Sequence, residues 1–416
     1  MKIAVIGTGV SGLTCALLLS RRHEVHVFEA DSRVGGHSNT VMCESPEGAL
    51  LPVDTGFIVF NERTYPLFTK MLAHLGIDSQ PSTMSLSIRC DETGLEYNGT
   101  SLNTLFAQRS NLLNPGFLAM LSDLLKFNKL ANEAVDYPGT LGSFVKENGF
   151  SARMVDQYLI PMTAAIWSAP RSTVLSMPMR FFVSFFRNHG MLTINDRPMW
   201  KTVVGGSRAY VNAICENLPR PIRVSCPVKS VTRHSRHVEV LSKTGNESFD
   251  HVVIATHSPE AMELLADATS TEREVLSAIP YQSNEAVLHT DVSLMPKRTL
   301  AWAAWNAHVD LKKDAEQPEA ATGVTYNLSI LQRLPTHLQY MVTLNRSDRI
   351  SSAKVIRKFV YHHPVFNQAS VEAQQRHSEI SGVARTHFCG AYWGYGFHED
   401  GVRSAVRVCK FFGEEL

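Results

Sequence analysis

Cysteine is sparse in this sequence, and none of it is paired by spacing. The seven cysteines (Cys15, Cys43, Cys90, Cys215, Cys226, Cys389 and Cys409) are odd in number and form no C-x-x-C. That excludes a disulfide frame and the paired spacing of a structural zinc site. It predicts reduced thiols acting as small core residues in a cytoplasmic protein. Charge is also scarce: charged residues make up 19% of 416, the net charge is +1, and there is no long run of Lys and Arg. A protein that tracks a nucleic-acid backbone needs a basic face. Nothing here supplies one, so no nucleic-acid partner is expected. No apolar stretch reaches the ~18 residues needed to span a bilayer. The longest candidate, 159–170, contains Pro161 and ends at Pro170. No metal-ligand cluster is visible, and the absence of a Gly-x-Ser-x-Gly elbow leaves hydrolase chemistry without a foothold.

What is present is an ordinary globular composition, 44% apolar, in a chain long enough for two or three lobes. The first seventeen apolar-rich positions after Lys2 superficially resemble a secretory signal. Three glycines interrupt them, and Arg21, Arg22 and His23 follow where a small-residue cleavage site would stand, so a strand and a helix are expected instead.

Ile3 to Ile6 read as a buried strand, Gly7-Thr8-Gly9-Val10-Ser11-Gly12 as a turn, Leu13 to Ser20 as a helix, and Val25 to Phe28 as a second strand ending in Glu29. Each glycine has a physical reason. Gly7 permits the tight turn, Gly9 lets the backbone approach a pyrophosphate, and Gly12 lets the helix pack close on the strand. The helix N-terminus, with Val10 and Ser11, presents N–H groups to phosphate. Glu29, about twenty residues on, is placed to accept from a ribose hydroxyl. Alone, G-x-G-x-x-G is a weak signal; inside strand–turn–helix–strand with an acid at that distance, it predicts a dinucleotide site.

The continuation Glu29-Ala30-Asp31-Ser32-Arg33-Val34-Gly35-Gly36-His37-Ser38-Asn39-Thr40 resembles the E-A-x-x-R-x-G-G-R-x-x-T stretch of the amine oxidase, protoporphyrinogen oxidase and phytoene desaturase superfamily. This resemblance implies FAD rather than NAD, with Ala30, Arg33, Gly35 and Gly36 along the diphosphate and flavin path. His37 stands where the family has Arg. The family's adenine-contacting strand corresponds to 227–231, with Val228 as the candidate. The stretch Thr386 to Ala405 resembles its last block, in which a strand ends at Gly390 and the start of a helix at Asp400, Gly401 and Val402 faces the flavin. Asp400 reads equally as a helix N-cap. Cys389 falls where the family has a small residue, so non-covalent FAD is expected.

The implied fold is α/β: a Rossmann-like two-dinucleotide-binding FAD domain with an inserted α+β substrate domain. The FAD domain is expected to be discontinuous, 1–70, 200–265 and 383–416. Segments 71–199 and 266–382 are left to bind substrate. There the signal weakens. Leu112 to Leu130 and the Phe181, Phe182, Phe185, Phe186 cluster read as core stripes or as the wall of an apolar tunnel or membrane-facing mouth. Trp393, Tyr395 and His398 lie in the loop that the family passes beside the flavin. His398 is the candidate proton carrier, with a structural histidine an equal alternative. His189 and Tyr326-Asn327 are weaker candidates. Many amine oxidases hold a water with a Lys at a strand start, where this sequence has Asn284 or Glu285. Its absence argues against efficient amine oxidation.

Gly56-Phe57-Ile58-Val59-Phe60-Asn61, Leu288-His289-Thr290-Asp291, Ala301 to Asn306 and Phe388 to Tyr392 resemble a bacterial subfamily of FAD-dependent oxidoreductases. Its members are often encoded beside methyltransferases similar to cyclopropane-fatty-acyl-phospholipid synthase. That resemblance implies a fatty acyl chain of a membrane lipid as substrate, a peripheral membrane contact and a methyltransferase partner. A hydrogen-peroxide-producing amine oxidase and a non-catalytic FAD- or lipid-binding protein remain the alternatives.

Overall fold

A computed structural model describes residues 1–193, 197–316 and 323–416. Four parallel strands form the sheet that carries the glycine turn. Their spatial order is Thr386–Phe388, His251–Ile254, Lys2–Ile6, Glu24–Phe28. The first strand is apolar throughout because both its faces are covered. Ile3 and Val5 pack into the core of the Val10–Leu19 and His398–Phe411 helices. Ala4 and Ile6 pack toward the antiparallel meander Val228–Arg233, Val238–Ser242 and Gly245–Phe249. All ten residues of the Val10–Leu19 helix are buried, which explains its lack of a polar face.

A second, seven-stranded sheet runs Val355–Pro364, Tyr281–His289, Met341–Leu344, Gly323–Asn327, Trp305–Val309, Leu86–Cys90, Leu95–Asn98. It is antiparallel except where Trp305–Val309 joins Leu86–Cys90. Helices Pro115–Glu133, Leu141–Glu147, Ile160–Trp167 and Met179–Asn188 gather on one core against its Leu86–Asn98 end. This is the mixed α/β architecture expected. Two details differ from the periodic reading. Asn114 caps the Pro115–Glu133 helix by accepting from Phe117 N, so Leu112 and Leu113 precede it. Phe117, Met120 and Phe127 are core, but Leu118 and Leu125 point outward. The four phenylalanines of Met179–Asn188 are all buried. Among the described residues no helix is long and apolar enough to cross a membrane.

The tightest contact in the nucleotide half is at Gly12. A Cβ there would lie 2.0 Å from Gly7 O and 3.2 Å from Ala255 Cβ. Backbone cannot yield as a flexible side chain can. Gly12→Ala is expected to destabilise the protein by about 1–3 kcal/mol through overpacking, read as a lowered midpoint of thermal unfolding.

Candidate active site

The glycine turn opens on a cavity of about 740 Å³ between the two sheets. Gly7, at φ +98°, turns the chain out of its strand. A Cβ on Gly9 would meet nothing within 4 Å, so its backbone faces open space. The first helical bond is Leu13 N to Gly9 O, which leaves the amides of Val10, Ser11 and Gly12 ahead of the ladder. Val10 and Ser11 line the cavity, and the Ser11 hydroxyl donates to Gly401 O at 3.0 Å. Glu29 lines it too. Its Oε2 accepts from Thr8 N at 3.0 Å and from the Thr8 hydroxyl, and its Oε1 accepts from Asp31 N at 2.9 Å. The acid therefore ties the glycine turn to the end of the second strand. Ala30, Gly36, His37 and Val228 complete this end.

Arg33 and Gly35 do not reach the cavity. The Arg33 guanidinium donates to Gly36 O at 2.7 Å and to Ser38 O at 3.3 Å, clipping its own loop into shape. Gly35 N donates to the Thr8 hydroxyl, and a Cβ on Gly36 would lie 3.1 Å from Gly9 Cα, so this loop lies directly on the turn. Gly390 lines the cavity, whereas Gly401 and Val402 are buried in the seam between helices. A Cβ at Gly401 would lie 2.6 Å from Val10 Cγ1. Asp400 is not the N-cap: the helix starts at His398 after Phe397, which takes that place, and Asp400 stands in its first turn. Its Oδ2 accepts from Phe397 N, its other oxygen pairs with Arg403 at 3.1 Å, and burial pushes its carboxyl up to about 6. It borders a separate cavity, with Arg187 and Arg403.

Of the four catalytic candidates, only His398 lines the main cavity. Its ring stacks 3.5 Å from Phe57, and its Nε2 bonds Ser38 Oγ at 2.9 Å and Tyr210 OH at 3.2 Å. Burial holds it down at about 3, so it is a neutral imidazole engaged through Nε2. Trp393 turns into the core, edge-on to His377. Tyr395 packs on Phe181, and its carbonyl accepts from Trp167 Nε1. Asn284 is fully buried behind the cavity, its Nδ2 donating to His363 Nδ1 at 3.2 Å. These three follow the packing of loop and sheet, which the local motif does not determine.

The other end of the cavity is built by residues scattered along the chain: Phe57, Tyr65, Trp167, His189, Trp200 and Tyr326 among them. His189 donates Nδ1–H to Phe185 O at 2.9 Å and stacks on Phe185. Burial lowers it to about 4. Sequence reasoning missed Tyr361 and His363, although the consecutive imidazoles of Tyr361-His362-His363-Pro364 were a readable signal.

The profile described as flavin containing amine oxidoreductase matches residues 10–324. The chain belongs to that family, a class of FAD-dependent oxidoreductases. Curated relatives include an L-amino-acid oxidase of Siganus canaliculatus, 23% identical over 69% of this chain and 56% of its own, and one of Mus musculus, 25% identical over 67% and 46%. The chain thus spans about half the length of these relatives. Solved structures with the same fold include cyclohexylamine oxidase from Brevibacterium oxydans IH-35A (TM-score 0.68, 16% identity, 99% of each chain). Another is a CLA-producing fatty acid isomerase from P. acnes (TM-score 0.65, 15% identity, 99% and 98%).

FAD fits what is present: an open glycine at a helix N-terminus, an acid at the strand end and an elongated cavity. Glu29→Ala removes three accepted hydrogen bonds and frees the turn. It is expected to weaken FAD binding about 10- to 100-fold, measured by quenching of flavin fluorescence on titration with the apoprotein.

Proposed function

We propose that the chain is an FAD-dependent dehydrogenase or desaturase acting on an apolar substrate, a modified fatty acyl chain of a membrane lipid. One observation carries this reading. The charged residues lining the cavity, Glu29, Asp31, Lys229, Glu260 and Glu263, all belong to the nucleotide half. The lining contributed by the rest of the chain is aromatic and aliphatic apart from Ser168 and the imidazoles of His189, His362 and His363, with no Asp, Glu, Lys or Arg among the described residues. Such a wall suits a hydrocarbon and offers an ammonium group no counter-ion. The fold shared with a protein described as a fatty acid isomerase supports the same substrate class.

FAD, when bound, supplies two-electron acceptance. The amides at Val10 and Ser11 and the Glu29 carboxylate would hold it, with Val228 at the adenine end. The cofactor is non-covalent in this reading, since Cys389 is buried with its sulfur 3.8 Å from Cys15 and lines no part of the cavity. Phe57, Trp167 and Trp200 exclude water. His189 receives the proton the substrate sheds. Its Nδ1–H is fixed on Phe185 O, so Nε2 carries the lone pair, and burial keeps the ring neutral at physiological pH. His189→Ala is expected to slow substrate-dependent flavin bleaching about 100-fold while leaving FAD affinity unchanged.

A second reading, an amine oxidase producing hydrogen peroxide, is favoured by the relatives' activities and by the aromatic wall. It is disfavoured by the lack of a lysine in the substrate half of the cavity. The deciding experiment offers the purified holoprotein anionic phospholipid vesicles or amines anaerobically and follows the absorbance near ~450 nm. Bleaching by vesicles alone supports the acyl-chain reading, and bleaching by amines alone overturns it. Bound flavin that neither reduces would mark a non-catalytic partner of a methyltransferase. Acid precipitation of the same sample should leave the flavin in solution. Membrane contact is assigned to Leu102, Leu112, Leu113, Leu118 and Leu125, all exposed (Leu113 by 89%), with Lys126 and Lys129 beside them. Flotation with those vesicles tests it, and loss of flotation in L113D/L118D is the expected result.

A further inference from the structure

His37 stands where the family that the sequence resembles has Arg, and the structure shows what surrounds it. Its ring lies 4.9 Å from Tyr361, 5.5 Å from His363 and 6.1 Å from His257. These side chains come from three elements: the loop lying on Gly9, the start of the Ser258–Leu264 helix and the Val355–Pro364 strand. All line the same cavity as Val10 and Ser11. The His37 Nε2 is buried and has no hydrogen-bond partner. His363 is oriented from behind, its Nδ1 accepting from Asn284, which leaves its Nε2 as a donor. Among the described residues no group of His, Cys, Asp and Glu is arranged to hold a metal.

The charge balance of the cavity shows what this cluster lacks. Among the described residues no arginine lines the cavity, because Arg33 is engaged with backbone carbonyls, and Lys229 sits beside Val228 at the nucleoside end. A dinucleotide's diphosphate carries two negative charges, and helix N-terminal amides supply only partial ones. Resting on the FAD reading above, we propose that His37 and His257, seconded by His363, form a proton-gathering anion cradle for the diphosphate, so that cofactor uptake carries proton uptake.

The groups facing these imidazoles set the sign. His37 is held well below its ordinary range, first by burial and then by His363, His257, His398 and Arg33. His363 is lowered to about 4 by burial, then by His257 and His362. Tyr361 and Tyr281 contribute neutral hydroxyls. Among the described residues the carboxylate paired with the cluster is Glu260, whose Oε1 lies 3.5 Å from His257 Nδ1. In the empty cradle the rings repel one another's protons. An arriving dianion favours the protonated forms and raises their pKa values. Binding must then strengthen as pH falls, because the bound state holds more protons than the free state.

The test titrates FAD into apoprotein from pH 8.5 to pH 6 by flavin fluorescence, with calorimetry in two buffers of different ionisation enthalpy to count protons. The expected Kd falls by about tenfold per pH unit for each proton taken up. Riboflavin, which lacks the diphosphate, should bind with no such slope. The variant H37Q/H257Q should lose the slope. His37→Arg should bind tightly at pH 8.5 with little pH dependence, which separates loss of the cradle from loss of the fold. A flat FAD profile, or a slope retained by H37Q/H257Q or seen equally with riboflavin, overturns the cradle and leaves the flavoprotein reading standing. Failure to bind FAD at any pH overturns both.

Discussion

The close approach of the first helix to its own strand is the constraint on which the rest depends. Gly12 sits so near Gly7 O that only a hydrogen can occupy its side-chain position. That contact sets the distance from helix to sheet and so fixes where the Val10 and Ser11 amides point. The same helix meets the His398–Phe411 helix through a second glycine, Gly401, and through the Ser11–Gly401 hydrogen bond. One buried ten-residue segment thereby positions both the phosphate end of the cavity and the loop 390–398 that closes its side. The Glu29 carboxylate performs the matching task from the second strand by gripping Thr8.

Legibility in the sequence follows from locality. The strand, turn, helix and acid lie within thirty consecutive residues, and their contacts are set by glycine sterics and strand ends, so they could be read directly. The substrate half is assembled from pairs far apart in the chain. Trp167 bonds the Tyr395 carbonyl, and Asn39 and Thr55 bond Tyr361. No local pattern encodes such contacts. That is why Trp393, Tyr395 and Asn284 are found behind the wall and not in it, while Tyr65, Trp200 and Tyr361 stand in it. The outward leucines 118 and 125 show the same limit, since periodicity marks an apolar face but not what covers it.

The two ends of the cavity handle charge in opposite ways. The nucleotide end carries carboxylates, a lysine and imidazoles. The far end keeps its titratable groups neutral: His189 is lowered by burial, and Tyr326 is raised by it. A dry, uncharged far end strengthens each remaining polar contact inside it, because little solvent is left to compete.

The order in which the nucleotide sheet is assembled also bears on how the protein matures. Its edge strand, Thr386–Phe388, and the helix that buries the first one, His398–Phe411, are synthesised long after the glycine turn. The Ser11–Gly401 contact spans 390 residues and cannot form until both partners exist. The glycine fingerprint is therefore made long before the helix that covers one side of its own apolar helix. Chains interrupted before residue 386 carry an intact nucleotide motif yet lack the sheet edge and the helix that pack against it.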